Sequence, residues 1–423
     1  MIKVDPALKI SGSLEVPGDK SISHRLLFFG AYASGETHLQ NVAPGDDVKR
    51  TILALKKLGV KIQGKDDCRT IIGRQGSLME PSMPLDCRNS GTTARLLMGI
   101  LAAQSFYSVI YGDRSLHQRP MGRVTRPLGE MGAQIYGREN GELLPITIRG
   151  DHLCGRTHRL EVASAQVKTA LLLAGLRSEG ETRIAEPLKS RDHAERLLKF
   201  MGADLEENGN EVRVRGGVLH PARYKIPGDF SSASFFVTLG LLHPKAELEI
   251  HSVGLNPTRT GLLEVFKQMG GQIEVNVKWY EPEPLGTIRV KSSCLRGIEV
   301  APDVLPRLID EIPLLALAAT QAEGKTKVTG AHDLRRKESD RIRSTVVTLR
   351  KLGAHIEELP DGFEVEGPTP LRGCILENFN DHRITMMQGI AGTLTQNGAA
   401  IVGDHWIRIS YPSFFKDLSK LIK

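Results

Sequence analysis

The stretch KKLGVKI at 56–62 sets a pattern that recurs along the chain: a helical run ends in Leu or Met, a glycine follows, and a strand-like run begins. Further copies are GEMGAQI at 129–135, KFMGADL at 199–205, KQMGGQI at 267–273, KLGAHIEE at 351–358 and, more loosely, TQNGAAIVG at 395–403. Only glycine adopts the left-handed conformation that ends many helices without steric cost. We therefore expect Gly59 and its counterparts to follow helix C-termini; a chance recurrence of a common junction is the alternative.

The spacing of these glycines indicates repeated units. Successive intervals are 73, 70, 68 and 83 residues, so each unit could hold two helices and several strands, and six such units would fill the 423 residues. A single core rarely grows past about 250 to 300 residues, which favours two domains. With 40% hydrophobic and 25% charged residues, the composition is that of a globular protein, and we expect a mixed α/β fold.

A second repeat divides the chain in half. VPGDKSISH at 16–24 returns as IPGDFSSAS at 226–234, at an offset of 210 residues. In both copies a Pro-Gly turn leads into Asp, Ser and an apolar run, which predicts a turn followed by an N-capped helix. We interpret the two copies as the paired places where the chain crosses between domains.

The charge distribution favours small anions over nucleic acid as ligands. Lys and Arg number 56 against 49 Asp and Glu, and the net charge of +7 is spread over both halves of the chain. Nucleic-acid-binding proteins concentrate such an excess in tails, stripes or basic patches interleaved with aromatic residues. Only 5% of this chain is aromatic, so we expect no nucleic-acid partner.

The cysteine pattern and the lengths of the apolar runs indicate the cellular compartment of the protein. The start, MIKVDPALKISG, has no apolar signal-peptide core, and the longest apolar runs, such as 312–319, are far shorter than the roughly 20 residues that span a bilayer. No CxxC pair or Cys/His cluster indicates a disulfide framework or a zinc site. We therefore expect a cytoplasmic protein without a membrane segment or a bound metal. The five cysteines are Cys68, Cys87, Cys154, Cys294 and Cys374.

Long helices are predicted where apolar runs are rich in Ala and Leu, and each opens on a polar cluster. They span 21–33, 92–103, 166–176, 231–242 and 310–319. The free N–H groups and positive dipole end of a helix start favour phosphate or carboxylate. At the first of them, Lys20, Ser21 and Arg25 are candidate anion ligands, and Arg25 shares a helix face with Ser21. The alternative is a capped helix with solvated basic residues.

Other candidate anion ligands lie further along the chain. Gly91, in NSGTTAR at 89–95, would let a ligand approach closely, although the segment is not a Walker A loop. Arg119, Arg341 and Arg383 are candidate forks for carboxylate or phosphate. For each arginine taken singly, the alternative is a solvated surface side chain.

Two acid-containing segments could transfer protons. DEIP at 310–313 precedes a run apolar enough to be buried, so at least one of its acids is expected to be partly desolvated. In KESDR at 337–341, a carboxylate flanked by Lys and Arg could move protons while the cations hold anions. A solvated charge run is the alternative for the second segment.

Together these segments resemble the 3-phosphoshikimate 1-carboxyvinyltransferase family, also called EPSP synthase. The resemblance implies a two-domain inside-out α/β barrel of six βαβαββ units, three per domain. One domain would comprise 1–19 with 229–423 and the other 20–228, with crossovers near Asp19 and Gly228 and an active-site cleft that closes on substrate. The resembling segments, in family order, are PGDKSISHR at 17–25, NSGTTARLL at 89–97, GDRSLHQRPM at 112–121, SAQVKTALLLAGL at 164–176, SRDHAERLL at 190–198, DEIP at 310–313, KESDR at 337–341 and DHR at 381–383.

In this family the 5-hydroxyl of shikimate 3-phosphate adds to C2 of phosphoenolpyruvate as C3 is protonated, and loss of phosphate then yields the enolpyruvyl ether. The resemblance implies that Asp310 is the base and that Glu338 and Lys20 transfer protons, with their individual steps left open. It implies no metal or organic cofactor, and we expect a monomer. Shikimate 3-phosphate would be held by Lys20, Ser21, Arg25, Ser164, Ala165, Gln166, Arg191, Asp310 and Lys337. Phosphoenolpyruvate would be held by Lys20, Gly91, Arg119, Gln166, Arg341 and Arg383.

The chain departs from the family pattern at two places. Some members have a lysine three residues before the Pro of the last motif, where this chain has Ile409; Arg408 or a more distant lysine is a candidate substitute. SAQVK, RDHAE and NPTR resemble the second bacterial class, which is often tolerant of glyphosate. Alanine often accompanies tolerance at the position of Gly91, so tolerance stays a hypothesis.

Two alternatives remain. The sibling UDP-N-acetylglucosamine enolpyruvyl transferase normally has a Lys-Asn pair near its start and a loop cysteine as acid, whereas Ser21 follows Lys20 here and no cysteine lies in a similar loop. A non-enzymatic nucleotide- or RNA-binding protein would need a basic, aromatic surface that the sequence does not offer.

Overall fold

The computed structural model describes residues 1–423, apart from the side chain of Asp404. The chain forms two compact units: Met1–Pro17 with Pro227–Lys423, called here the split unit, and Gly18–Ile226, called here the continuous unit. Each division falls two residues before the predicted domain boundary, and the assignment of the units as domains stays a prediction. Each unit has its own hydrophobic core.

Helices are interspersed with single strands and runs of strands along the chain. The α-helices are α1 Lys20–Tyr32, α2 Asp46–Lys57, α3 Gly91–Leu101, α4 Gly122–Glu130, α5 Arg138–Gly141, α6 Ala165–Gly175, α7 His193–Phe200, α8 Phe230–Leu242, α9 Gly261–Gln268, α10 Ile312–Ala319, α11 Arg341–Lys351, α12 His382–Leu394 and α13 Phe414–Leu421. Short 3₁₀ helices span Leu116–Gln118, Pro302–Arg307, His332–Arg336 and Asp404–Ile409. The strands are β1 Ile2–Val4, β2 Ile10–Glu15, β3 Glu36–Gln40, β4 Lys61–Gln63, β5 Arg69–Ile72, β6 Leu85–Asp86, β7 Tyr107–Tyr111, β8 Gln134–Gly137, β9 Leu143–Arg149, β10 Leu153–Cys154, β11 Thr157–Arg159, β12 Ser178–Glu179, β13 Glu181–Ala185, β14 Leu205–Asn208, β15 Glu211–Arg215, β16 Arg223–Lys225, β17 Ala246–Gly254, β18 Gln272–Trp279, β19 Leu285–Lys291, β20 Glu299–Val300, β21 Gly324–Val328, β22 His355–Leu359, β23 Gly362–Gly367, β24 Ile375–Glu377 and β25 Ala399–Val402.

The continuous unit repeats one sheet pattern three times within the described residues. Its four-stranded sheets have the orders β16-β3-β5-β4, β6-β7-β9-β8 and β11-β13-β15-β14. In each sheet the first pair is parallel and the next two pairs are antiparallel. Helices α3 and α6 pack closely: a Cβ on Gly99 would lie 2.2 Å from the carbonyl oxygen of Ala170, so only glycine fits there.

The split unit repeats the pattern in two four-stranded sheets and keeps part of it in a three-stranded sheet, with N-terminal strands included. Its sheets have the orders β18-β19-β17-β2, β20-β21-β23-β22 and β1-β25-β24. Strand β2 runs parallel to β17, with Ile10 opposite Ala246, and β1 runs antiparallel to β25, with Ile2 opposite Ile401. These pairings explain why the first seventeen residues belong to the same unit as the second half of the chain.

The structure confirms the predicted helix–glycine–strand junctions. The glycines that directly follow the C-cap residues of α2, α4, α7, α9 and α11 are Gly59, Gly132, Gly202, Gly270 and Gly353, with φ of 82°, 119°, 83°, 94° and 96°. Gly398 has a φ of 74°, but it lies three residues beyond Thr395, the C-cap of α12. The loose sixth copy therefore shares the positive φ and not the cap position.

The five long helices predicted from sequence are present as α1, α3, α6, α8 and α10. Two helix ends differ from the prediction by two residues: α3 ends at Leu101 instead of residue 103, and α10 begins at Ile312 instead of residue 310. Pro313 lies in its first turn, where the missing N–H breaks no helical hydrogen bond. Asp310 consequently lies in the turn before α10, and Glu311 is the N-cap residue.

Candidate active site

The start of α1 holds a lysine beside an acid. Asp19 caps the helix by accepting a hydrogen bond from the Ile22 amide at 2.8 Å, and Lys20 is the first helical residue. The Nζ atom of Lys20 lies 3.0 Å from Oδ2 of Asp47, in the first turn of α2, and 16% of the Lys20 side chain is exposed. Asp47 was missed by sequence reasoning, because nothing local in the sequence pairs residues 27 positions apart.

The start of α3 brings two guanidinium groups to a glycine. Ser90 caps the helix at the Thr93 amide, 3.2 Å away, and Gly91 is the first helical residue. A Cβ added at Gly91 would lie 2.9 Å from Nη1 of Arg95 and 3.5 Å from Nη1 of Arg119. The missing side chain therefore allows the close approach of Arg95, whereas the distance to Arg119 is an ordinary van der Waals contact. Arg95, which sequence reasoning did not include, follows Gly91 by one helical turn.

Neutral acceptors orient these two arginines. Arg119 is buried and donates to the Asn89 carbonyl oxygen at 3.2 Å, Asn89 Oδ1 at 2.6 Å and Ser115 Oγ at 3.1 Å. Arg95 donates to Gln166 Oε1 at 2.7 Å and to the Pro120 carbonyl oxygen at 2.9 Å. These hydrogen bonds hold the two guanidinium groups in position at the start of α3, and guanidinium is the usual fork for carboxylate or phosphate.

The start of α6 is tied to the starts of α1 and α3. Arg25, which is buried, donates to the carbonyl oxygens of Ser21 at 3.0 Å and Ala165 at 3.1 Å. Gln166 donates from Nε2 to Thr92 Oγ1 at 2.9 Å. Within the continuous unit, the predicted ligands at the three helix starts therefore belong to one connected group.

Ser164 and Arg191 lie on either side of a buried carboxylate. Ser164 caps α6 at the Val167 amide, 3.4 Å away. Arg191 is partly exposed and follows the buried Ser190, just before α7. The backbone amides of Ser164 and Ser190 both donate to Glu186, each at 3.2 Å.

In the split unit, Arg341 is the centre of an acidic cluster. It is the first residue of α11 and is almost fully buried. It donates to Asp381 Oδ2 at 2.8 Å and Asp310 Oδ1 at 3.2 Å, and it also bonds Glu338. Burial alone lowers the pKa of Arg341, but the carboxylates of Asp381, Glu338 and Asp310 raise it above its ordinary value. The guanidinium group is therefore permanently charged.

Asp310 has three cations around its carboxylate. Besides Arg341, Nη2 of Arg383 lies 3.5 Å from Oδ2, and Nζ of Lys337 lies 4.0 Å from Oδ1. Nη1 of Arg383 also donates to the Asp310 carbonyl oxygen at 3.3 Å. All five predicted site residues of the split unit, Asp310, Lys337, Glu338, Arg341 and Arg383, are thus brought together.

Glu311 and Asp381 are further members of this cluster. Glu311 is fully buried, accepts a hydrogen bond from Ser231, and lies 3.3 Å from Nη1 of Arg259 and 3.5 Å from Nη1 of Arg383. The expected desolvation of an acid in DEIP is therefore confirmed at Glu311. Asp381 caps α12 at the Arg383 amide, 2.9 Å away. Burial alone raises the pKa of Asp381, but Arg341 holds it below its ordinary value.

The split-unit cluster has four cations and five acids. Its cations are Arg259, Lys337, Arg341 and Arg383, and its acids are Asp229, Asp310, Glu311, Glu338 and Asp381. Each arginine of the cluster already has a carboxylate partner, so an anionic ligand bound to one of them would take the place of an acidic side chain. The displaced acid would lie near the ligand, where it could transfer a proton.

Residue 409, where some family members have a lysine, is an isoleucine that cannot take over the role of that lysine. The side chain of Ile409 is buried, while Arg408 beside it is exposed in the 3₁₀ helix Asp404–Ile409. Arg408 therefore remains the nearer candidate substitute.

Among the described residues, no helix is both long and apolar enough to cross a membrane.

The fold is that of an enolpyruvyl transferase. It matches the structure of the enolpyruvyl transferase NikO from Streptomyces tendae with a TM-score of 0.80, over 99% of this chain and 96% of that one. The identity is 18%, so this likeness concerns the fold alone. The structure of an EPSP synthase from Acinetobacter baumannii matches with a TM-score of 0.88 and 40% identity, over 99% of this chain and 97% of that one.

Sequence comparisons narrow the class to one family. The family model of EPSP synthase (3-phosphoshikimate 1-carboxyvinyltransferase) matches residues 4–418. A protein named 3-phosphoshikimate 1-carboxyvinyltransferase from Bacillus pumilus (strain SAFR-032) is 47% identical over 426 residues, 100% of both chains. One of the same name from Petrotoga mobilis (strain DSM 10674 / SJ95) is 46% identical over 427 residues, 99% of both. The chain belongs to the EPSP synthase family, which confirms the predicted family and fold class.

Proposed function

We propose that the chain is a 3-phosphoshikimate 1-carboxyvinyltransferase of the shikimate pathway. It would transfer the enolpyruvyl group of phosphoenolpyruvate to the 5-hydroxyl of shikimate 3-phosphate and release phosphate. Full-length identity of 47% to a relative of that name supports the proposal. The observation that supports it most directly is the Asp310 carboxylate, which is surrounded by Lys337, Arg341 and Arg383.

The continuous unit would supply anion ligands. Shikimate 3-phosphate carries a phosphate and a carboxylate, and the helix starts at Ser21 and Ser164 offer hydroxyl and N–H donors of the kind that bind them. The guanidinium group of Arg119, near Gly91, is suited to the phosphate of phosphoenolpyruvate. Lys20 adds a compact charge that an incoming anion could share with Asp47.

The split unit would supply the base, and an acid–base candidate from each unit, Glu338 and Lys20, would serve the remaining proton transfers. Asp310 takes the proton of the 5-hydroxyl as its oxygen bonds to C2 of phosphoenolpyruvate, and an acid delivers a proton to C3. The C2–O bond to phosphate then breaks while a base removes a proton from C3. Glu338 and Lys20 are the candidates for the C3 transfers, and Arg341 and Arg383 hold the carboxylate and phosphate charges. No step requires a metal or an organic cofactor.

An assay of phosphate release from phosphoenolpyruvate with shikimate 3-phosphate as acceptor tests the proposal. We expect turnover with this acceptor and none with UDP-N-acetylglucosamine; the reverse result would favour the sibling enzyme, and inactivity with both would overturn the proposal. Asp310→Asn should lower turnover by at least about 100-fold, because it removes a positioned base. Asp303→Asn is the matched control, since Asp303 is an exposed acid seven residues earlier, and near-normal turnover is expected for it.

A further inference from the structure

A buried triad of charges lies beneath the start of α6. Nζ of Lys168 is 2.7 Å from Oε2 of Glu186 and 2.6 Å from Oε1 of Glu195. The three side chains are 1%, 2% and 2% exposed. Because buried ion pairs are frequently less stable than apolar residues of similar volume, stability alone is a weak reason for such a triad.

One member of the triad also holds two backbone segments. Oε1 of Glu186 accepts a hydrogen bond from the Ser164 amide, and Oε2 accepts one from the Ser190 amide, both at 3.2 Å. The first segment continues into Ala165 and Gln166, and the second continues into Arg191. Residues from both segments are proposed above to bind shikimate 3-phosphate, so a single carboxylate fixes where both begin.

We propose that Glu186 is a positioning residue for shikimate 3-phosphate: its two oxygens hold the Ser164 and Ser190 segments at the spacing that the substrate requires. The inference rests on the proposed function of those segments. Lys168 neutralises Glu186 and joins it to α7 through Glu195. This role depends on where the two Glu186 oxygens lie relative to the two amides. It can therefore be tested separately from the charge of the triad.

Glu195 provides a matched comparison in the same triad. It is as deeply buried as Glu186 and bonds the same lysine, yet within the described residues its carboxylate accepts no hydrogen bond from Ser164 or Ser190. Burial raises the pKa of Glu195 although Lys168 opposes the shift. Glu195→Gln makes the same chemical change as Glu186→Gln.

The two substitutions should differ at the Ser164 amide. Glutamine has one acceptor oxygen, and in Glu186→Gln the Lys168 ammonium and the Ser190 amide both favour that oxygen at the Oε2 position. The NH₂ group then faces the Ser164 amide, two donors meet, and the hydrogen bond is lost. Glu195→Gln leaves both amide bonds to Glu186 intact.

The experiment is titration calorimetry of shikimate 3-phosphate on the full chain, with steady-state kinetics and thermal unfolding of each variant. Glu186→Gln should weaken binding about 10-fold or more and raise KM for shikimate 3-phosphate, with KM for phosphoenolpyruvate within about twofold. Glu195→Gln should bind within about twofold of the parent chain. Glu186→Asp, which keeps both carboxylate oxygens but withdraws them by one methylene, should weaken binding less than Glu186→Gln does.

Each outcome separates the inference from the proposed function. Parent-like binding by Glu186→Gln, or equal weakening by Glu195→Gln, would overturn the positioning role. If Glu186→Gln does not fold, Glu186→Asp decides, since unaltered binding by that variant overturns the role as well. If Ser164→Ala binds as the parent chain does, or if the parent chain does not bind shikimate 3-phosphate, the assignment of the segments fails, whatever Glu186 does.

Discussion

The two Pro-Gly-Asp turns start helices of the same length, α1 in the continuous unit and α8 in the split unit, with different chemistry. Asp19 caps α1 at the Ile22 amide, 2.8 Å away, and Asp229 caps α8 at the Ser232 amide, 3.1 Å away. Both helices are thirteen residues long. The backbone solution is therefore shared, because a side-chain oxygen on the third amide satisfies the helix start in either sequence context.

The difference lies at the residue after the cap. Lys20 is partly exposed and pairs with Asp47, whereas Phe230 is 1% exposed and lies 5.9 Å beneath the guanidinium group of Arg259. Arg259 in turn bonds Glu311, so the phenyl ring supports the buried side of the split-unit cluster. The same backbone structure therefore carries a candidate anion ligand, Lys20, at one helix start and a core residue, Phe230, at the other.

The largest effect is expected from truncating the core member of this pair. Phe230→Ala should lower the free energy of unfolding of the split unit by about 3 to 5 kcal/mol, because it leaves a cavity beneath Arg259. Denaturant unfolding, monitored by hydrogen exchange in peptides from α8, measures the loss in free energy of unfolding. Phe200→Ala is the control, since Phe200 is 46% exposed, and it should cost about 1 kcal/mol or less. Equal losses in both variants would show that Phe230 contributes no more to the core than an exposed phenylalanine does.

Truncation at the equivalent position of the continuous unit should act on catalysis instead. Lys20→Ala should lower turnover by at least about 100-fold, or about 2.7 kcal/mol, by removing a positioned charge and proton donor. Steady-state phosphate release measures this, and thermal unfolding should change little. Lys49→Ala removes an exposed lysine from α2 and should leave turnover unchanged. Near-normal turnover in Lys20→Ala would remove that residue from the mechanism.

The sequence predicts the repeats better than the partners within them. Gly59 and its counterparts are predictable because a left-handed residue at a helix end is a local requirement. Lys20 and Asp47 are 27 positions apart, and the Ser164 amide and the Glu186 carboxylate that it bonds are 22 positions apart. These contacts depend on how separate elements pack together, which the local sequence does not specify. Similarly, DEIP predicts a desolvated acid, but only the start of α10 at Ile312 decides that Glu311 is the buried one and Asp310 the accessible one.

The same comparison predicts a pH dependence at only one of the two helix starts, because His24 of α1 corresponds to Ser234 of α8 at the offset of 210 residues. His24 is fully buried, its Nδ1 lies 2.8 Å from Thr51 Oγ1, and its Nε2 has no hydrogen-bond partner among the described residues. Burial, with smaller contributions from Lys20 and Arg25, lowers the pKa of His24 well below its ordinary value.

The folded chain therefore keeps His24 neutral while the unfolded chain takes up a proton near its ordinary pKa. The contribution of His24 to the free energy of unfolding is fully present above about pH 7.5. It falls as the pH drops through about 6.5, by up to about 1.4 kcal/mol per pH unit. Denaturant unfolding at pH 5, 6 and 7, with hydrogen exchange of α1 peptides, should show a shallower slope for His24→Asn than for the parent chain. Ser234→Ala removes only a hydroxyl that donates to the Phe230 carbonyl oxygen, so it should leave the slope unaltered. An unchanged slope in His24→Asn would mean that other groups set the acid sensitivity, and the two helix starts would then differ in ligand chemistry alone.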